Sequence, residues 1–299
     1  MMEYVIETNS LSKKFPNKLA VDKVSIHVQK GDIYGLIGRN GAGKTTLMKM
    51  ILGTLFPTEG EMALFGNSNL NLERRRRIGS LIEAPGLYKG STAYENMKRF
   101  SLLYGGTDED IKELLAFVGL SETGKMKVGH FSLGMKQRLG LALSLLGNPE
   151  VLVLDEPVNG LDPSGIKEFR DIILHLNKER GVTFVISSHL LDELGKIATR
   201  YGILSDGQLV DEISAAELQE RCKTCLIIEA DDLEKAQAVL TKANLLGNHV
   251  INENKLLMYD HFEEPSLINE TLVKSGLKVN SLSFSNNGFE DYFIERLGK

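Results

Sequence analysis

Apolar and polar residues alternate over Val21-Asp22-Lys23-Val24-Ser25-Ile26-His27-Val28, and this period near two predicts a half-buried strand. Asp32-Ile33-Tyr34-Gly35-Leu36-Ile37 is more evenly apolar, which predicts a central strand. It runs through a glycine-rich stretch into Lys44-Thr45-Thr46-Leu47-Met48-Lys49-Met50-Ile51-Leu52, a helix that Gly53 ends. Residues 83–147 carry mainly helical signals, and Thr92-Ala93-Tyr94-Glu95 has the spacing of a capping box. Val151–Leu154 and Thr183–Ser187 are apolar runs of buried-strand length, separated by a helical pattern over Pro163–Lys178. Strands alternating with helices predict a parallel sheet covered on both faces.

The pattern changes after Ser214-Ala215-Ala216-Glu217, a second capping-box spacing. The remainder predicts strand 225–230, helix 231–244, strands 248–252 and 255–260, helix 264–275 and strand 278–285. Asn252-Glu253-Asn254 supplies the middle turn and Pro265 a first helical turn. That βαββαβ order is ferredoxin-like. The expected domains are therefore 1–217, with a helical subdomain at about 84–148, and 218–299.

Composition narrows the function classes. A chain of 299 residues, 42% hydrophobic and 25% charged, is long enough to bury a core without disulfide or metal staples. A net charge of −5, spread along the sequence, argues against a protein whose main task is holding nucleic acid. Two cysteines make no disulfide framework, so a reducing, cytoplasmic compartment is expected. The amino terminus carries no secretory leader pattern, and no apolar run approaches the ~18 residues of a membrane span. Work at a membrane would therefore go through a partner.

The chemistry begins at Gly38-Arg39-Asn40-Gly41-Ala42-Gly43-Lys44-Thr45, which fits the phosphate-loop pattern G-x-x-x-x-G-K-[ST] between a predicted strand and a predicted helix. Glycines let successive N–H groups converge on a phosphate, the helix start adds positive potential, Lys44 adds a full charge, and the Thr45 hydroxyl can ligate Mg²⁺. Val151-Leu152-Val153-Leu154-Asp155-Glu156 ends a buried strand in two carboxylates, on the sheet edge where such folds bind ligands. Asp155 is expected to hold Mg²⁺, directly or through water, and Glu156 to polarise the water that attacks a γ-phosphate.

Phe131-Ser132-Leu133-Gly134-Met135-Lys136-Gln137-Arg138 completes the set, and with it the sequence resembles the ATP-binding cassette family. The resemblance runs from Phe15 to His189, within a cassette extending to about Glu217. It implies an α/β P-loop NTPase cassette: a parallel sheet core, an N-terminal antiparallel β subdomain and a helical signature subdomain, here with a small C-terminal α+β domain. It implies that Phe15 stacks on adenine, and that Gly38, Arg39, Asn40, Gly41, Ala42, Gly43, Lys44, Thr45 and Thr46 hold ATP. Ser132 and Gly134 match the signature that binds the γ-phosphate of ATP on a second subunit, Asp162 the D-loop, and His189 the switch histidine. The catalytic set is then Lys44, Glu156 and His189; the metal set is Thr45, Asp155 and Glu83. Cassettes work as head-to-tail dimers, so one copy of each element implies a second, identical subunit. A separate integral-membrane permease is the other expected partner, with the chain peripheral on the inner membrane face.

Three positions depart from the family pattern. Glu83 replaces a usual glutamine, and Leu133 and Met135 replace a glycine and a glutamine. These variations resemble the branch of bacitracin-resistance and lantibiotic-immunity transporters. The alternative is a soluble ATPase with a regulatory or nucleic-acid role. Against it, Arg74-Arg75-Arg76-Arg77 lacks interleaved aromatics and is expected to be a solvated surface. Cys222-Lys223-Thr224-Cys225 has no second pair to complete a zinc site. Arg180 stands where Asn177-Lys178-Glu179 would need an aspartate to select guanine.

Overall fold

The computed structural model describes residues 3–68, 71–83, 85–222, 225–252, 255–285, 292–293 and 296–297. The chain forms two compact units, Met1–Ala215 with Arg296–Lys299, and Ala216–Glu295.

The first unit is built on a six-stranded sheet in the order Gln208–Ser214, Arg200–Ser205, Ile33–Gly38, Thr183–Ser188, Val151–Asp155, Ile78–Leu81. Every neighbour is parallel except the antiparallel edge pair of Gln208–Ser214 with Arg200–Ser205. Three of the four inner strands, 33–38, 151–155 and 183–188, are buried at every residue, as their unbroken apolar runs require. The register pairs Asp155 and Leu36 each with Ser187, which brings the strand ends that carry the loop and the carboxylate to one edge.

A second, antiparallel sheet is organised by the long strand Tyr4–Phe15, which pairs with Lys18–Val24, His27–Gln29 and Glu59–Leu64. The alternating run 21–28 is thus two strands, not one. The buried Thr8 hydroxyl donates to the Val24 carbonyl (3.0 Å) and accepts from the Ile26 N–H (2.9 Å). It satisfies the backbone where the ladder stops.

Helices Ala93–Tyr104, Asp108–Phe117 and Leu133–Ser144 make the helical region. Thr92 with Glu95, and Thr107 with Asp110, close complete capping boxes. Helix Pro163–Arg180 runs one half-turn beyond its predicted end and stops at Gly181 in the left-handed conformation. Among the described residues no helix is long and apolar enough to cross a membrane.

The arginine run is not simply solvated. Arg75 donates to the Leu52 carbonyl (3.2 Å). Arg77 lies over the Phe65 ring at 3.5 Å and grips Glu150 through two hydrogen bonds of 2.6 and 2.8 Å. Charge periodicity cannot reveal such partners, because they arrive from distant elements. Arg77 holds the Glu150 carboxyl below its ordinary pKa. A depressed carboxylate stabilises the fold above its unfolded pKa and loses that contribution as pH falls through its folded value. Glu150→Gln is therefore expected to lower stability at pH 7 by less than ~1 kcal/mol, the pair being half-exposed, and to match the parent in strong acid. Thermal melts at pH 7 and below pH 4 check this.

The second unit has the order strand Cys225–Ala230, helix Leu233–Lys242, strands His249–Asn252 and Lys255–Met258, helix Pro265–Lys274, strand Val279–Ser285. Its antiparallel sheet runs 249–252, 255–258, 225–230, 279–285. Ala236, Leu240, Ile268 and Leu272 of the helices share one core with Leu226, Ile228, Leu256 and Met258. Glu253 and Asn254 of the expected turn, and Lys223 and Thr224 between the cysteines, lie outside the described residues. Cys225 is buried and Cys222 half-buried.

Candidate functional site

Strand Ile33–Gly38 delivers the chain into the loop 39–43, and helix Lys44–Ile51 begins at once behind it. Gly43 sits at φ +106°, and a Cβ there would lie 2.4 Å from the Ala20 carbonyl oxygen, so only glycine fits. The Gly43 N-cap has no side chain, so no side-chain cap satisfies the N–H groups of the helix start. Lys44 is 6% exposed, and its ammonium donates to the Gly38 carbonyl at 2.6 Å and stands 3.5 Å from Glu156 Oε1.

Strand Val151–Asp155 supplies the facing wall. Asp155 is buried; one carboxylate oxygen accepts from Thr45 Oγ1 (2.7 Å) and the other from Ser187 Oγ (2.5 Å). The same Ser187 hydroxyl accepts the Glu156 N–H at 2.9 Å. Glu156 itself has φ +49°, a conformation an L-residue adopts at some cost and one that turns the chain sharply at the strand end. His189 follows strand Thr183–Ser188. Its Nδ1 lies 2.7 Å from Glu156 Oε2, which assigns the ring proton to Nδ1, since a carboxylate only accepts.

A cavity of about 310 Å³ gathers Phe15, Lys18, Ala20, Arg39–Thr46, Asp155 and Glu156. The structure thus brings residues 39–46 of the predicted loop, Phe15, Asp155 and Glu156 around one space; Gly38 does not line it but accepts the Lys44 ammonium, and His189 sits on the far oxygen of Glu156. Phe15 is 39% exposed at the end of its hairpin. Ser132, Gly134 and Asp162 do not line this cavity. Ser132 caps helix 133–144 by accepting the Met135 N–H, and Asp162 caps helix 163–180 by accepting the Gly165 N–H. Their two loops interlock: Leu133 packs over Gly160, where an added Cβ would meet its Cδ2 at 2.9 Å, and Leu161 covers Gly134. Glu83 lines a different cavity, of about 450 Å³, and pairs with Lys49 at 2.7 Å from φ +59°.

Ser187, Lys18 and Lys49 were not expected from sequence. Ser187 had a signal, being a polar residue ending a buried strand at the same sheet edge; the two lysines had none, because their partners come from elements far along the chain.

The residues fit a magnesium nucleotide. The loop offers amides and a buried cation to phosphates, and the Thr45 and Asp155 oxygens 2.7 Å apart suit a hard divalent ion. Among the described residues no three His, Cys, Asp or Glu form a group that could hold a metal ion by themselves.

Fold and loop together define a phosphate-loop nucleotide-binding cassette. The family model described as ABC transporter matches residues 21–159. The bacitracin transport ATP-binding protein BcrA of Enterococcus faecalis is 40% identical over 100% of this chain and 98% of its own length. The lantibiotic transport ATP-binding protein SrtF of Streptococcus pyogenes is 42% identical over 70% of this chain and 90% of its own. Among solved structures, an ATP-binding cassette of an ABC transporter in its ADP conformation superposes with a TM-score of 0.66. It is 28% identical and covers 74% of this chain and 95% of that one. The chain belongs to the ABC transporter ATP-binding proteins, and is an ATPase.

Proposed function

We propose that this chain is the ATP-hydrolysing subunit of an exporter for peptide antibiotics of the bacitracin or lantibiotic kind, working as a homodimer beneath a separate membrane permease. The observation that carries this reading is similarity to a bacitracin transport ATP-binding protein along both units, not along the cassette alone.

In this reading the loop amides and Lys44 bind the phosphates, Phe15 stacks on the base, and Thr45 with Asp155 holds Mg²⁺. Bound magnesium nucleotide supplies the transferable phosphoryl group and offsets its charge. Glu156 orients the attacking water and accepts its proton, while the His189 Nδ1–H fixes the far carboxylate oxygen. Ser187 keeps Asp155 and the Glu156 backbone in register. Ser132, Gly134 and Asp162, away from the chain's own cavity, serve the nucleotide of the second subunit.

Co-purification from native membranes tests the assignment. The expected result is a complex with a membrane-spanning protein whose ATPase rate responds to added bacitracin or lantibiotic; partners without membrane spans would overturn it. Glu83 is tied to Lys49 on the helix that starts at the phosphate loop, so its charge bears on communication and not on chemistry. Glu83→Gln is expected to keep nucleotide affinity and basal hydrolysis within about twofold, as for a surface ion pair, and to lose peptide-stimulated hydrolysis in the complex. Loss of nucleotide binding in this variant would remove that role.

A further inference from the structure

Among the described residues lining the phosphate cavity, Lys18 is the one cation that comes from the antiparallel sheet instead of the loop. It pairs directly with Phe15 across a two-residue hairpin turn at Pro16 and Asn17, so the ring and the ammonium are carried on one hairpin tip. Its Nζ donates to the Gly41 carbonyl at 3.1 Å, at the crest of the phosphate loop. On the other side of the tip, Lys13 lies over the Phe15 ring at 5.5 Å and donates to the Phe56 carbonyl at 2.7 Å.

The charges around the cavity show why this lysine matters. Its lining holds three cations, Lys18, Arg39 and Lys44, against two carboxylates, Asp155 and Glu156. Lys44 already faces Glu156 at 3.5 Å. Without Lys18 the walls would be balanced, and the net positive charge that draws in a polyanion would be gone. Its present acceptor is a neutral backbone oxygen, a weaker partner for an ammonium than a phosphate oxygen.

We propose that Lys18 is a phosphate-directed binding residue of the nucleotide site, which exchanges the Gly41 carbonyl for a phosphate oxygen and thereby ties the Phe15 hairpin to the phosphate loop when nucleotide is bound. The proposal rests on the reading that this cavity holds ATP. It predicts that Lys18 distinguishes nucleotides from nucleosides, because its contribution is to charge and not to the base.

Displacement of a fluorescent N-methylanthraniloyl ATP from the full chain, by MgATP and by adenosine, tests it at several salt concentrations. Lys18→Gln is expected to weaken MgATP about tenfold, to leave adenosine unchanged, and to flatten the salt dependence of MgATP affinity. Lys18→Arg is expected to restore both MgATP affinity and the salt slope. Unchanged MgATP affinity in Lys18→Gln would overturn the proposal. So would an equal loss for MgATP and adenosine, which would make Lys18 only a prop for the Phe15 hairpin. Lys44→Ala is run beside it: if that variant also bound MgATP like the parent chain, the failure would lie in the assignment of the cavity and not in Lys18.

Discussion

Glu156→Gln is expected to bind MgATP within about threefold of the parent while releasing phosphate about 10²–10³-fold more slowly, the usual scale for removing a positioned base. The amide keeps the size of the side chain and an oxygen for the His189 contact, now 2.7 Å from Nδ1. What it loses is the capacity to accept a proton from water. It also removes the carboxylate facing Lys44, which favours retained polyanion and so a persistent nucleotide-bound dimer. Phosphate release, nucleotide affinity and molecular mass in the presence of MgATP are the three measurements. Turnover at the parental rate would take Glu156 out of the mechanism.

Lys44→Ala is expected to weaken MgATP binding about 10³-fold, equivalent to ~4 kcal/mol. The ammonium is almost wholly buried and lies between the Gly38 carbonyl and Glu156. Removing it leaves Glu156 as an uncompensated negative charge beside the phosphate space, so repulsion is added to the lost attraction. Lys44→Arg keeps the charge but not the fit, because a planar fork cannot follow a compact ammonium into the same cleft. Equilibrium binding checks both variants, with thermal melts to separate lost affinity from lost folding. A parental affinity in Lys44→Ala would exclude the loop as the phosphate site.

Much of the cassette is legible in the sequence because its central strands are buried on both faces and read as unbroken apolar runs. The loop is legible for a different reason: converging amides at a helix start demand glycine, lysine and a hydroxyl in a fixed local order. Local order also exposed Thr92 and Glu95 as a cap. It failed over 21–28, where the alternation is continuous but Thr8, from another strand, takes over the backbone bonds and splits the strand. It failed too at Arg75 and Arg77, whose partners Leu52, Phe65 and Glu150 come from three separate elements. Lys18 and Lys49 belong with these failures. Each acts across a tertiary gap that no short window of sequence spans.

The loops at Leu133–Gly134 and Gly160–Leu161 mesh like two teeth, each offering a bulky side chain where the other has none. Transplanting either alone from a homologue with glycine at position 133 gives up the contact of Leu133 with Gly160. A change on one side calls for an answering change on the other, and segment swaps between transporters at this point need to carry both.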